Sequence, residues 1–191
     1  AAYINELYKL SKKKKIVVAA ILSFVAVAAA GGIVAVVDNF MGIKVTGSAT
    51  FPILVLSVLS YTLIPLFTAF VCIDMFSGEF SEQTIKLTLT RPVSRYKVYM
   101  SKVMAAATFI LGNLLFLLIC SLLASVITNS ISMSVFKIIL AYAASFLPLL
   151  VFSLYVVLVS NLVRSSTLSF LISVISYLLF ITIGMIFTNY Q

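Results

Sequence analysis

An all-α integral membrane protein is the fold class that this 191-residue chain predicts, and three observations lead there. Hydrophobic residues make up 63% of the chain and charged residues 9%, with a mean hydropathy of +1.23. A soluble domain of this size has too little interior for so many apolar side chains, so lipid is the solvent for most of them. Apolar runs long enough to cross about 30 Å of hydrocarbon recur five times. The third observation is the uneven placement of Lys and Arg, which fixes an orientation.

The elements follow in chain order. Tyr3, Ile4, Leu7, Tyr8 and Leu10 fall on one side of a helix, with Asn5, Glu6, Lys9 and Lys12 elsewhere. This predicts a short amphipathic helix over 2–14, lying in the membrane interface. The spans are expected at about 16–37, 51–73, 103–128, 135–160 and 167–187 of a single transmembrane domain, 1–191. Asp38-Asn39, Gly42, Gly47, Asn129, Ser130 and Asn161 supply loop signals between them. Within the first span, Ala28, Gly31, Gly32 and Ala35 permit close helix contact, either inside the subunit or along a dimer seam. Pro65 and Pro148 free carbonyls four residues earlier and can kink the second and fourth spans. Asn113 is expected to bond a neighbouring helix, and Cys72 and Cys120 read as small buried hydrophobes.

With a cytoplasmic N-terminus, the inner side holds Lys9, Lys12, Lys13, Lys14, Lys15, Lys86, Arg91, Arg95, Lys97, Lys102 and Arg164. The outer side holds only Lys44 and Lys137. The bias predicts a cell-membrane protein with its N-terminus inside and 188–191 outside. The lysine run flanks a span, so topology and anionic lipid explain the net charge of +8 without nucleic acid.

A polar island, 74–102, interrupts this lipid-like sequence and carries Asp74, Glu79 and Glu82 beside five of the basic residues. Phe80, Thr84 and Leu87 share one helical face, with Glu79, Glu82 and Lys86 on the polar side. Ser77 or Ser81 suits the N-cap of such a helix, and carboxylates in its first turn suit its dipole. Pro92 stops it, and Ser94 caps a second helix through Arg95, Tyr96, Lys97 and Tyr99 that runs into the third span. Carboxylates near an anionic leaflet are unfavourable unless something basic receives them. The island therefore reads as a docking element for a partner in water.

The order Gly78-Glu79-Phe80, Thr84-Ile85-Lys86-Leu87, Arg91-Pro92-Val93-Ser94-Arg95 and Lys102 resembles the loop between the second and third spans of bacterial ABC type 2 permeases. Gln83 stands where a glycine is more usual, and the family's six spans leave room for a sixth beyond Gln191. The resemblance implies a half-transporter. Two copies pair, a homodimer in the simplest case, and each lays a coupling helix into a groove on a cytosolic ATPase subunit that binds the ATP and Mg. Glu79, Phe80, Glu82, Thr84 and Lys86 would lie in or near that groove; Arg91, Pro92, Ser94 and Arg95 would shape the return into the third span, ahead of Lys102.

The residues agree that energy comes from elsewhere, because the chain has no GxxxxGK[ST] and no histidine. No catalytic, metal or cofactor constellation is present in the sequence. Ion-gradient transport needs carboxylates at mid-membrane depth, and none of the spans carries one. Tyr61, Thr62, Thr68, Tyr142, Tyr155, Ser173, Ser176 and Tyr177, interspersed with Phe and Leu, suit a pathway for an amphipathic peptide or other hydrophobic cargo. The alternative is a non-transporting immunity or sensory protein that binds a cytosolic partner through the same loop.

Overall fold

The computed structural model describes residues 2–12, 14–41, 51–81, 95–127, 135–163 and 165–189, and these form seven α-helices. They are α1 (Ala2–Ser11), α2 (Lys14–Met41), α3 (Phe51–Tyr61), α4 (Leu63–Ser81), α5 (Arg95–Ile127), α6 (Val135–Val163) and α7 (Ser166–Asn189). In hydrocarbon only helices and closed barrels satisfy their own backbone, which is why each apolar run becomes a helix. Four of the helices, α2, α5, α6 and α7, are each long and apolar enough to cross a membrane, and the bent pair α3–α4 is so when taken together. Each of the five apolar runs of the sequence thus corresponds to one helix or, for the second, to one bent pair.

The break has a covalent cause. Pro65 has no N–H to offer the carbonyl of Tyr61 four residues back. The chain turns by 43° there, with Thr62 N–H donating to Leu59 O at 3.3 Å in a tightened last turn. The Tyr61 carbonyl instead accepts the hydroxyl of Tyr177 from α7 at 3.0 Å. Pro148 behaves differently, because α6 passes through it as one helix. α6 also outruns its expected end: Asn161 lies inside the helix, its Nδ2 donating to Val157 O at 3.0 Å, and does not break it.

Two packed clusters hold the bundle. One joins Val27, Val34, Phe51, Leu59, Ile110 and Tyr142 of α2, α3, α5 and α6. The other joins Leu10, Cys72, Phe76, Ala105, Ala106 and Val156 of α1, α4, α5 and α6 at the end that bears the polar island. Most hydroxyls in the spans bond their own helix: Ser23 donates to Ala19 O at 2.8 Å, Thr68 to Ile64 O at 2.8 Å and Ser153 to Leu150 O at 2.7 Å. Such back-bonding lets serine and threonine enter hydrocarbon without a partner from another helix. Of the small residues in α2, Gly31 serves packing inside the subunit, since a Cβ there would lie 3.6 Å from the Phe51 ring. Ala28 and Gly32 face outward.

The first helix is amphipathic, but its faces differ from the expected division. Leu10 is buried, and Tyr3 and Leu7 pack on the bundle, whereas Ile4 and Tyr8 are exposed. Glu6 lies on the buried side at 6% exposure and pairs with Lys9 at 3.4 Å. The helix ends as Ser11 Oγ donates to Tyr8 O at 3.0 Å, and the Lys12 ammonium sits 4.5 Å from the Tyr8 ring centroid.

A double-mutant cycle tests the account of the break. Tyr177→Phe lowers stability by about 0.6 kcal/mol, the mean for an interhelical bond in a bilayer. In a Pro65→Ala background residue 65 regains its N–H, so the same substitution costs nothing measurable in thermal unfolding of the purified protein. Equal losses in both backgrounds contradict the account.

Candidate functional site

The island's roots are the last turns of α4 and the first turns of α5. With 33 residues, α5 is about 50 Å long at 1.5 Å per residue. It outspans the hydrocarbon, so its first turns, with Arg95, Tyr96 and Lys97, project beyond it. The second island helix running into the third span is therefore present as the start of α5.

Lys102, one of the island's five basic residues, is turned inward and only 5% exposed. Its Nζ donates to the carbonyl of Met75 in α4 at 2.5 Å and lies 5.3 Å from the Phe76 ring centroid. An ammonium is tolerated at this depth only if it is well bonded, and a charge-assisted bond with a cation–π contact serves that need. Phe76 also meets Tyr99 edge-on with ring centroids 5.7 Å apart. Together these contacts lock the end of the second span to the start of the third.

Ser77, one residue beyond Phe76, does not cap a helix. It is fully buried inside α4, four residues before its end. Its Oγ donates to Ser160 O at 2.9 Å, lies 2.6 Å from Ser160 Oγ and 3.3 Å from Ser169 Oγ, and its N–H reaches Ser160 Oγ at 3.0 Å. Three helices, α4, α6 and α7, thus meet on one buried hydroxyl cluster just beneath the island. Ser160 and Ser169 lie 83 and 92 residues away in sequence. No local pattern marks them, and sequence reasoning missed both.

The structure places the proposed docking residues as follows. Glu79 and Phe80 fall in the last turn of α4, and Arg95 opens α5. Glu82, Thr84, Lys86, Arg91, Pro92 and Ser94 lie outside the described residues, as does the expected helix through 82–89. Among the described residues no group of His, Cys, Asp or Glu is placed to hold a metal ion. What the described residues offer is a fixed frame: the facing ends of α4 and α5 are tied to each other and to α1, α6 and α7 through Lys102, Ser77 and the cluster that includes Leu10.

The residues expected to line a pathway separate into two groups. Tyr61 and Thr62 are exposed, and Tyr155, Ser176 and Tyr177 are half-buried. Thr68, Tyr142 and Ser173 are buried within the subunit and do not line an outer face. Tyr142 is a structural pin, its hydroxyl donating to Pro52 O at 3.1 Å and lying 2.9 Å from Ser121 Oγ. Asn113 meets Ser23 of α2 at 3.5 Å, the limit of a hydrogen bond, beside an apolar cavity of about 320 Å³ between α1, α2 and α5.

Removing the ammonium of Lys102 tests the clamp. Lys102→Met keeps the stem but removes a charge-assisted bond of about 1.5 kcal/mol. Amide hydrogen exchange is expected to rise over 75–81 and 95–101, with the middle of α6 unchanged; uniform protection contradicts the clamp.

No curated protein and no solved structure matches the chain. Residues 4–184 match the family model described as ABC-2 family transporter protein. That match runs from the first helix through the island and into the last helix, and it agrees with the loop resemblance on which the sequence reading rests. The chain belongs to the ABC-2 transporter family and is a membrane permease subunit of an ABC transporter.

Proposed function

We propose that this permease is the membrane half of an ATP-driven exporter, working as a homodimer in a bacterial plasma membrane with its N-terminus inside. The clamped root of 82–94 is the observation that carries this reading. A loop that only anchored spans to headgroups would need no buried lysine and no three-helix serine junction beneath it. A loop that transmits force does, because a push on a soft root dissipates in local unwinding. Glu79, Phe80, Glu82, Thr84 and Lys86 enter a groove on the ATPase subunit, and Arg91, Pro92, Ser94 and Arg95 shape the return. The partner holds ATP and Mg. The apolar spans, with Asp74 only near the island end of the second, support an amphipathic peptide or similar hydrophobic cargo.

Pairing of two copies finds support in α2. Ala28 and Gly32 present small side chains outward one turn apart, the spacing that lets two helices approach closely. A Cβ at Gly32 meets nothing within 4 Å inside the subunit.

Two substitutions test the reading. Glu79→Arg abolishes stimulation of the partner's ATP hydrolysis while membrane insertion is unchanged; retained stimulation contradicts the placement of the groove contact. Gly32→Leu leaves the thermal stability of the subunit unaltered but shifts the detergent-solubilised protein from two copies to one, read by light scattering. An unchanged dimer removes α2 from the seam.

A further inference from the structure

The break between α3 and α4 lies in the middle of the second span and on its outer surface. Tyr61 follows Phe51 by ten residues, about 15 Å of helix and half the hydrocarbon thickness. Tyr61 is 66% exposed, and Thr62 beside it and Ser57 one turn earlier are exposed as well. Tyr177, which holds the freed carbonyl, lies eleven residues into α7 and so at a similar depth. Two of the buried hydroxyls without a protein partner, Ser60 Oγ and Ser173 Oγ, sit on the same two elements. One immediately precedes Tyr61; the other lies one turn before Tyr177.

Interrupted backbone at membrane depth is tolerated where it is buried in protein or lines a water-filled cavity, and not where lipid touches it. Within one subunit Ile64 and Pro65 are buried, but Tyr61 and Thr62 at the break are not. The contrast with α5 is sharp. Its outer face reads Leu111, Leu115, Ile119, Leu123 and Val126, all exposed and all aliphatic, as a lipid-facing surface requires. On the α3–α4 face Ser57 and Thr62 donate to Leu54 O and Val58 O of α3 at 2.8 Å, but the exposed Tyr61 carries its phenol at the depth where lipid offers no partner.

We propose that the exposed side of this break lines a hydrated stretch of the transport pathway and binds cargo there. Tyr61 and Thr62 offer hydroxyls to the amide or hydroxyl groups of an amphiphile. Its apolar part lies against the aromatic wall beside them, where Phe152 and Tyr177 have centroids 4.9 Å apart and Tyr155 meets Phe180 edge-on at 6.2 Å. The cargo assignment rests on the exporter reading, whereas hydration of the break does not. A half-membrane hinge at Thr62 also connects this station to the island, because α4 runs from the break to Ser77 and Glu79 as one helix.

Thiol reactivity in the native membrane tests the proposal without knowledge of cargo or partner. Thr62→Cys, Tyr61→Cys and Leu115→Cys are made in a chain whose own thiols are removed by Cys72→Ala and Cys120→Ala. Each is then treated in membrane vesicles with a charged, water-soluble methanethiosulfonate. The thiolate, which forms only where water reaches, attacks the reagent's sulfenyl sulfur and expels methanesulfinate, so both break positions react at least about tenfold faster than Leu115→Cys. Tyr61→Cys guards against misfolding at Thr62, since that side chain is exposed and its loss leaves no cavity. Rates at both break positions equal to that of Leu115→Cys overturn the proposal and place the break against lipid or a second copy. A loss of ATPase stimulation in Glu79→Arg leaves these rates unmoved, so the two readings fail separately.

Discussion

Backbone amides and carbonyls that lie in hydrocarbon must find their partners inside the protein, and this requirement shapes everything else in the chain. It turns each apolar run into a helix and leaves no use for strand among the described residues. At Pro65 it has a consequence that reaches across the bundle. One missing N–H leaves one carbonyl in need of a donor, and Tyr177 of α7 supplies it. The second span is thereby joined to the fifth by a bond whose origin is a single imino acid.

The same requirement sorts the side chains. Hydroxyls on Ser23, Thr68, Ser125 and Ser153 are satisfied by carbonyls of their own helices and impose little on the packing. Lipid gives helices no hydrophobic reason to associate, so the polar groups that reach across carry much of the specificity. They gather at three levels. Tyr142 ties α6 to α3 and α5 at one end, Tyr177 ties α7 to the break at mid-depth, and Ser77 with Lys102 ties α4 to α5, α6 and α7 beneath the island. α4 begins at Leu63, just past the bond to Tyr61, and runs to the cluster beneath the island, so a single helix joins the second level to the third.

Span number and placement were legible in the sequence because run length against bilayer thickness is a one-dimensional property. The kink in the second span was legible too, since a proline dictates which carbonyl it deprives. The inward turn of Lys102 was not, for a lysine at the start of a span reads equally as a headgroup contact until its carbonyl partner 27 residues earlier is seen. Ser77 suffered the same ambiguity between cap and core. On α1 the sequence did not separate Leu10, which packs on protein, from Ile4 and Tyr8, which are exposed, nor place Glu6 on the buried side, because hydropathy cannot distinguish a face against protein from one against lipid. Thr68 and Tyr142 looked like pathway residues for the same reason: polarity inside a span signals a partner, and that partner is as readily a neighbouring helix as a cargo. For the docking residues, Arg95 opens α5 as the sequence implied, whereas Glu79 and Phe80, expected at the start of an island helix, lie in the last turn of α4, and 82–94 lies outside the described residues.

The central claim is that this permease is driven by a separate ATPase seated on its island. Gentle detergent purification from the native membrane, with mass spectrometry of what remains bound, tests it most directly. The account predicts a P-loop ATPase at about equal stoichiometry with the permease. A permease that comes through alone, or with a partner lacking any nucleotide site, would contradict it and turn the island into the contact of an immunity or sensory protein.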